Sequence, residues 1–213
     1  MSFTNYNYIS IEGNIGAGKT SLATRIAEDY NAKLILEQFE DNSFLPKFYK
    51  DPDKYAFPLE LSFLAERFEQ LKKQLSAHDL FKAFTVSDYF IIKSFIFARK
   101  NLPDDTFGLY KKLFDIISDS LPKPDLLAYL YLNVDNLLRN IHNRGREYEL
   151  NIKSEYLSKI QDSYLDYIRK QSNLRVLIID TNQMDFVKSE EDYRTIVDII
   201  SQDYPLGVHT IMP

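Results

Sequence analysis

The chain has 213 residues, a net charge of −5, no cysteine and no tryptophan. Apolar residues make up 45% of it, including 15 Phe and 15 Tyr, which is enough for a hydrophobic core and excludes general disorder. The negative charge argues against a general nucleic-acid binder, because phosphate backbones require a basic surface. The absence of cysteine excludes disulfide bonds, thiolate metal ligands and a cysteine nucleophile. Without an internal linker, this length predicts a single domain, residues 1–213.

No apolar segment approaches the roughly 20 residues that a membrane span requires. The N-terminal segment MSFTNYNYIS has neither the basic nor the apolar region of a secretory signal. The lack of cysteine agrees with a reducing compartment. We therefore expect a cytoplasmic protein that is not embedded in a membrane.

Hydrophobic periodicity predicts strands that alternate with helices along the whole chain. In chain order we expect a strand at 6–11, a helix at 21–29, a strand at 33–36, an aromatic loop at 39–57, a helix at 58–74, a strand at 83–87, helices at 91–99 and 103–121, a strand at 125–132, helices at 135–142 and 154–171, a strand at 175–179 and a helix at 190–202. This alternation predicts an α/β fold, a three-layer sandwich in which helices cover both faces of a five-stranded parallel sheet.

The first strand leads into a phosphate-binding loop of the pattern G-x-x-x-x-G-K-S/T, here GNIGAGKT. Glycines allow the backbone N–H groups to point at phosphates, Lys19 supplies a cation, and the Thr20 hydroxyl is a ligand for Mg²⁺. The following helix adds its N-terminus to the site. We therefore predict a nucleoside triphosphate site formed by Gly13, Asn14, Ile15, Gly16, Ala17, Gly18, Lys19, Thr20 and Ser21.

Acidic residues follow several predicted strands, at the sheet edge where α/β proteins bind ligands. Among them Glu37 is the best candidate to orient or deprotonate an attacking hydroxyl. It also favours a neutral hydroxyl over a monophosphate as acceptor, because its charge repels a phosphate. Asp88 is the candidate Mg²⁺ ligand, since P-loop kinases take this acid from the strand beside the P-loop strand. VLIID at 176–180 resembles such a strand, but we expect it elsewhere in the sheet.

Arg144 and Arg146, separated by Gly145, form a compact cationic segment after a predicted helix. Two guanidinium groups on a movable loop are suited to close over a transferring phosphoryl group and to stabilise its charge. We predict that this segment is an arginine-rich lid.

Three stretches resemble the deoxyribonucleoside kinases, P-loop enzymes that phosphorylate the 5′-hydroxyl of deoxyadenosine, deoxyguanosine or deoxycytidine. They are FYKDPDKYAFPLELSFLAER at 48–67, RGREYE at 144–149, and DNSFLPKFY at 41–49, the last similar to the bacterial purine branch. The resemblance covers nearly the whole chain. It implies a P-loop kinase that uses ATP and Mg²⁺, acts in nucleotide salvage and forms a homodimer through the apolar helices that follow Asp88 and Pro103.

The resemblance also implies roles for individual residues. Glu37 would bind and deprotonate the 5′-hydroxyl, and Tyr49 and Glu149 would hydrogen-bond the sugar 3′-hydroxyl. Arg67 would line the base pocket. The segment Asp185-Phe186 would grip the base of the phosphate donor.

Four positions depart from the family pattern. Glu60 stands where the family has a glutamine that reads the base. Ser87-Asp88-Tyr89 lacks the arginine that usually holds the 5′-hydroxyl, and Asn140 replaces an additional lid arginine. Lys93 replaces an acidic residue. Together, Glu60 and Lys93 suit either the amino group and a ring nitrogen of adenine or the N1–H and O6 of guanine, which leaves the base open.

These features predict an ATP-dependent, Mg²⁺-dependent deoxynucleoside kinase, and branch resemblance favours deoxyadenosine as the acceptor. Asp88, Glu60, Arg67 and Lys93 complete the expected acceptor side of the site. Two alternatives stay open: a nucleoside monophosphate kinase similar to thymidylate kinase, and a non-catalytic regulator that binds a nucleotide.

Overall fold

The structure, a computed structural model, describes residues 5–38, 42–76 and 79–213. Residues 39–41, which begin the predicted aromatic loop, lie outside the described residues. The chain forms two compact units. The first consists of the described parts of Met1–Leu36, Asp79–Phe90 and Lys123–Pro213, and the second of Glu37–His78 and Ile91–Pro122.

The elements follow one another in an alternating order. They are β1 (Tyr8–Gly13), α1 (Lys19–Asp29), β2 (Lys33–Ile35), α2 (Leu45–Lys50), α3 (Pro52–Ser76), β3 (Thr85–Ser87), α4 (Ile92–Asn101), α5 (Asp104–Asp119), β4 (Leu126–Tyr131), α6 (Val134–Arg144), a short 3₁₀ turn (Glu147–Glu149), α7 (Ser154–Ile168), β5 (Arg175–Asp180), α8 (Glu190–Ser201) and β6 (Gly207–Ile211).

The first unit contains a parallel sheet in the order β2-β3-β1-β4-β5-β6. Its central strands are almost continuously apolar, as expected for strands buried on both faces. Ile11 and Ala128 join helix residues such as Leu22 and Ile196 in one core. Tyr129 points to the opposite face of β4 and packs on Tyr164 of α7, with ring centroids 5.3 Å apart. Helices therefore cover both faces, and the predicted α/β class is confirmed.

The expected number of strands is wrong by one, because the sheet has a sixth strand, β6. Its sequence GVHTI is partly exposed along its length. An edge strand pairs on one side only, so it lacks the continuous apolar pattern that marks a central strand. The other boundaries differ from the predictions by a few residues.

The second unit consists of α2 to α5, and the predicted loop at 39–57 is wrong for residues 45–50 and 52–57. Proline is favoured in the first turn of a helix, so both Pro52 and Pro58 are possible start positions for the long helix α3. The helix begins at Pro52, and Pro58 lies inside it. Within this extra length Ala56 is buried, so packing of the added turns supports the longer helix.

Helices α3 and α4 run antiparallel, because Arg67 contacts Ser94 while Glu60 contacts Asn101. Phe95 of α4 packs on Phe107 and Phe114 of α5, with centroids 5.3 and 5.2 Å apart. Among the described residues, no helix is both long enough and apolar enough to cross a bilayer.

Candidate active site

The phosphate loop connects β1 to α1 in the first unit. Gly18 ends the loop in the left-handed conformation, with φ of 84°, and α1 begins at Lys19 without a side-chain cap. A Cβ at Gly18 would lie 2.7 Å from Cζ of Phe186, so only glycine fits this approach. The loop therefore presents a helix N-terminus whose backbone N–H groups suit an anion.

Lys19 and Thr20 lie at the start of α1, as the motif predicts. The Lys19 Nζ donates to the backbone oxygen of Asn14 at 2.8 Å, so the ammonium lies over the loop. The Thr20 hydroxyl donates to Oδ2 of Asp88 at 2.6 Å. The structure thus brings together the hydroxyl and the carboxylate predicted to hold Mg²⁺.

Strand β3 lies directly beside β1, whereas β5 is separated from β1 by β4. This order confirms that Asp88, and not Asp180, follows the neighbour of the P-loop strand. The Asp88 amide donates to Ile35 O at 3.1 Å, and the Phe90 amide donates to the buried Glu12 carboxylate at 2.7 Å. Glu12 also accepts from the Tyr164 hydroxyl at 3.1 Å. These bonds fix the turn that carries Asp88.

Asn140 of α6 holds the phosphate loop from a second side. Its Nδ2 donates to the backbone oxygen of Gly16 at 2.9 Å. The residue that replaces an additional lid arginine therefore braces the loop in this chain. Asn14 acts similarly, because its Nδ2 donates to Leu157 O at 2.8 Å.

The arginine segment begins with Arg144, the last residue of α6, and Gly145 caps this helix in the left-handed conformation. Arg144 forms an ion pair with the buried Glu149, and Arg146 Nη1 lies 3.6 Å from Glu149 Oε1. Arg144 and Arg146, predicted to form the lid, therefore form one cluster with Glu149, which was predicted to bind the sugar.

Asp185 and Phe186 follow β5. Phe186 is buried and packs on Gly18, so this segment lies against the end of the phosphate loop. Asp185 is tied to α8, because its amide donates to Asp192 Oδ2 at 2.7 Å.

The second unit contains a buried ionic cluster around Glu37, whose side chain is 8% exposed. Arg67 donates to Glu37 Oε1 through Nε at 2.9 Å, and its Nη2 lies 2.8 Å from the same oxygen. Lys93 forms an ion pair with Oε2. Arg67 is itself fixed by the Ser94 hydroxyl at 2.7 Å. The cluster therefore holds both carboxylate oxygens with cations.

Burial would raise the pKa of Glu37, but the charges of Lys93 and Arg67, and their hydrogen bonds, outweigh it and lower the pKa to about 2. Glu37 is consequently ionised at neutral pH. The sequence did not predict this use of Lys93, which it placed at the base.

Glu60, on the same helix as Arg67, is 1% exposed. Its Oε1 accepts a hydrogen bond from Asn101 Nδ2 at 2.7 Å.

Tyr49 lies on α2 and is 48% exposed, so its ring is accessible. Sequence reasoning missed Ser94 and Asn101, because a single Ser or Asn in an apolar helix gives no pattern that distinguishes it.

The fold and the phosphate loop define a nucleotide-binding α/β protein of the P-loop kinase class. The chain matches the family described as "Deoxynucleoside kinase" over residues 9–203 and belongs to that family. It is therefore a kinase and transferase that phosphorylates nucleosides, for which the family implies ATP as donor.

Two similar proteins come from Bacillus subtilis (strain 168). A deoxyguanosine kinase is 38% identical over 194 residues, covering 89% of this chain and 93% of that protein. A deoxyadenosine/deoxycytidine kinase is 31% identical, covering 91% of each chain. Among solved structures, a deoxyadenosine kinase from M. mycoides with bound dATP has a TM-score of 0.78 at 22% identity, covering 92% of this chain and 100% of that one.

Proposed function

We propose that this enzyme transfers the γ-phosphoryl group of ATP to the 5′-hydroxyl of a purine 2′-deoxynucleoside. The observation that carries this proposal is the Glu37 carboxylate, which is buried and ionised. A carboxylate accepts a hydrogen bond from a neutral hydroxyl and repels a phosphate. Arg67 and Lys93 are already bound to Glu37, so a monophosphate acceptor would have to compete for them.

With a pKa near 2, Glu37 is a weak proton acceptor, and its role is to orient the hydroxyl. This agrees with phosphoryl transfer, in which positioning and charge stabilisation contribute most of the catalysis. Lys93 supplies the second cation at Glu37 in a chain that lacks the expected arginine after β3.

On the donor side, we assign phosphate binding to the loop from Gly13 to Ser21, with Lys19 as its cation. Arg144 and Arg146 act on the transferring group, and Asp185 with Phe186 lies near the donor base. Tyr49 and Glu149 bind the sugar 3′-hydroxyl. Arg67, Glu60 and Lys93 belong to the acceptor side.

Thr20 and Asp88 are the proposed Mg²⁺ ligands. Their hydroxyl and carboxylate oxygens fit a hard cation, although the described residues contain no cluster of three or more His, Cys, Asp or Glu that could hold a metal. Mg²⁺ usually takes only one or two protein ligands together with phosphates and water. When bound, it would neutralise charge on the donor phosphates.

The proposal also concerns which purine base the acceptor nucleoside carries. Branch resemblance favours deoxyadenosine, whereas the 38% identity to a deoxyguanosine kinase favours deoxyguanosine. A cytoplasmic location, a single domain and the absence of nucleic-acid and membrane partners stay predictions. A homodimer is supported by three exposed apolar residues along α5, namely Leu109, Leu113 and Ile116.

The test is a panel assay of purified enzyme with ATP and Mg²⁺. The acceptors are the four deoxynucleosides, their ribose counterparts and the deoxynucleoside monophosphates. We expect turnover of purine deoxynucleosides and little of the other acceptors. Turnover of the monophosphates alone would contradict the proposal and favour a monophosphate kinase.

A further inference from the structure

Helix α2, which carries Tyr49, is short and has no fully buried side chain. It spans six residues, Leu45–Lys50, and its apolar residues Leu45 and Phe48 are only half-buried. A helix of this length is not stable by itself, and a surface helix usually depends on an apolar face that packs on the core. A contact besides apolar burial is therefore needed to fix α2 in place.

The buried residue that precedes α2 is polar. Asn42 is 7% exposed and lies three residues before the helix. Its Nδ2 donates to Ser62 Oγ at 2.8 Å and to Glu66 Oε1 at 3.1 Å, and both partners lie on α3. Its Oδ1 accepts from the Phe44 amide at 2.9 Å. One amide side chain therefore connects the start of α2 to the long helix.

The partners of this amide determine its orientation. The Ser62 hydroxyl donates its proton to Leu59 O at 2.8 Å, so its oxygen accepts from Asn42. An ionised carboxylate such as Glu66 only accepts, and the Phe44 amide only donates. Both donors and the acceptor of Asn42 are thus used. Removing the side chain would leave the Phe44 N–H without its acceptor and would release α2 from α3.

The hydroxyl-orienting acid is fixed by a different set of contacts. Glu37 lies five residues before Asn42, and Arg67 and Lys93 bind its carboxylate. Neither cation is a partner of Asn42 in the hydrogen bonds that fix α2. The placement of Tyr49 can therefore be disturbed while Glu37 keeps its own partners.

We propose that Asn42 is a positioning residue for the acceptor sugar, which fixes α2 on α3 and so holds Tyr49 at the 3′-hydroxyl. This rests on the proposed function, in which Tyr49 binds that hydroxyl. Asn42 acts through Tyr49 and not by contact with the acceptor, because its polar atoms are taken up by α3 and Phe44. Its loss should weaken the binding of acceptors that carry a 3′-hydroxyl and spare the transfer step at Glu37.

The first test compares Asn42→Ala with the wild type on a purine deoxynucleoside and on the matching 2′,3′-dideoxynucleoside. The KM for the deoxynucleoside should rise roughly 10-fold, while kcat and the KM for ATP stay within about twofold. The dideoxynucleoside has no 3′-hydroxyl, so its kcat/KM should change little. Ser43→Ala is the matched control, because Ser43 is the exposed neighbour of Asn42, and it should leave every value unchanged.

The second test asks whether Asn42 acts through Tyr49. Tyr49→Phe removes the phenolic hydroxyl and should lower the ratio of deoxynucleoside to dideoxynucleoside kcat/KM. Adding Asn42→Ala to Tyr49→Phe should lower this ratio no further, because no sugar contact is left to position. Losses that multiply in the double variant would overturn the proposal. An unchanged ratio in Tyr49→Phe would also overturn it, because Tyr49 would then not bind the sugar.

The third test measures how firmly α2 is held, without catalysis. Trypsin cleaves after lysine, and α2 carries the exposed residues Lys47 and Lys50. Cleavage after these two lysines should be roughly 10-fold faster in Asn42→Ala than in the wild type, because α2 opens more often. Cleavage after Lys159, exposed on α7, is the internal control and should not change.

Ser62→Ala provides the same tests if Asn42→Ala does not fold. It removes one acceptor of Asn42 and keeps the bond to Phe44. It should therefore raise the KM for the deoxynucleoside and the cleavage of α2 in the same direction as Asn42→Ala, by a smaller factor. Wild-type values for both in Ser62→Ala would contradict the proposal.

Equal losses of kcat/KM for the deoxynucleoside and the dideoxynucleoside in Asn42→Ala would overturn the proposal, because they would show a general structural role. A loss confined to kcat, or unchanged cleavage of α2, would overturn it as well. If the wild type phosphorylates no deoxynucleoside, the proposed function fails and this proposal fails with it. The cleavage assay distinguishes that result from an Asn42 that does not hold α2.

Discussion

Two buried carboxylates in the helical unit have opposite protonation behaviour, and the cause lies in their neighbours. Glu37 contacts two cations, and its pKa lies near 2, whereas Glu60 contacts one neutral amide, and burial raises its pKa to about 7. Environments that separate the pKa values of two acids are typical of functional sites. Here the ionised acid is the one that we propose to orient the acceptor hydroxyl.

Lys93→Met should lower kcat/KM by roughly 10- to 100-fold, because Glu37 would keep only Arg67 to hold its position. Loss of one cation also raises the pKa of Glu37, so the loss of activity on acidification should begin at higher pH. Steady-state kinetics across pH measures both effects.

Lys93→Arg keeps the charge and should retain most of the activity. Lys112→Met, at an exposed position on α5, is the control and should behave like the wild type. Wild-type kinetics in Lys93→Met would show that Lys93 does not position Glu37.

Glu60→Gln should change stability in a pH-dependent way. Between pH 4.5 and about 7 the folded protein binds more protons at Glu60 than the unfolded chain, so its stability falls as pH rises. The full cost above pH 7 is on the order of 3 kcal/mol. The variant lacks this cost, and its Tm should be roughly 6 to 12 °C higher than the wild type above pH 7 and similar below pH 4.5.

Thermal unfolding followed by circular dichroism at pH 4 and pH 8 measures this difference. Glu69→Gln, at an exposed position on the same helix, should match the wild type at both pH values. Equal Tm values for Glu60→Gln and the wild type at pH 8 would mean that Glu60 is not a strained buried acid.

At the scale of elements, the phosphate loop is held from several sides by the elements around it. Asn140 of α6 binds Gly16 O, Phe186 after β5 packs on Gly18, and Asp88 after β3 accepts from Thr20. Glu12, at the end of β1, fixes the turn that carries Asp88. The loop is therefore preorganised for phosphates by contacts within one unit.

Asp88→Asn tests the metal assignment at this turn. The amide keeps the shape and removes a negative charge, so the Mg²⁺ concentration for half-maximal activity should rise roughly 10-fold or more. A Mg²⁺ titration of initial rates measures this value. Asp166→Asn, at an exposed position of α7, should not change it, and an unchanged requirement in Asp88→Asn would remove Asp88 from the metal site.

Arg144→Ala tests the arginine segment at the end of α6. Arg144 is 37% exposed and Arg146 stays beside Glu149, so the free energy of unfolding should change by less than about 1 kcal/mol. By contrast, kcat should fall by roughly 100-fold, since a donor to the transferring group is lost. Arg139→Ala, exposed on the same helix, is the control. A kcat close to that of the control would contradict the prediction that Arg144 belongs to a lid over the transferring phosphoryl group.

At the scale of the whole molecule, the chain combines a parallel-sheet unit that holds the phosphate loop with a helical unit that holds Glu37 and Glu60. Helix α5 of the helical unit carries an exposed apolar stripe, in which Ile116 is 72% exposed. Such a stripe on a helix is the kind of surface that pairs with a second copy.

Ile116→Lys should therefore convert the proposed homodimer to a monomer, because it places a charge in the proposed apolar interface. Light scattering coupled to gel filtration measures the mass. Leu206→Lys, at an exposed site outside α5, is the control and should have the same mass in solution as the wild type. A wild-type monomer would contradict the predicted homodimer.

The sequence by itself determined the fold class, the phosphate loop and the acidic candidates Glu37 and Asp88. Apolar periodicity indicates which residues are buried, and the loop motif is local, so both can be recognised without knowledge of tertiary contacts. The edge strand β6 and the early start of α3 could not be predicted, because strand pairing and helix packing stabilise them and their own sequence pattern does not mark them.

Only the tertiary structure determined which side chains contact each other in the candidate site. Lys93 and Glu37 are separated by 56 positions in the chain, and Asn101 and Glu60 by 41. The antiparallel packing of α3 and α4 brings Asn101 to Glu60, and the packing of the segment after β2 brings Glu37 to Lys93. Contact between distant residues sets charge pairing and burial, and these set the protonation states on which the proposed chemistry depends.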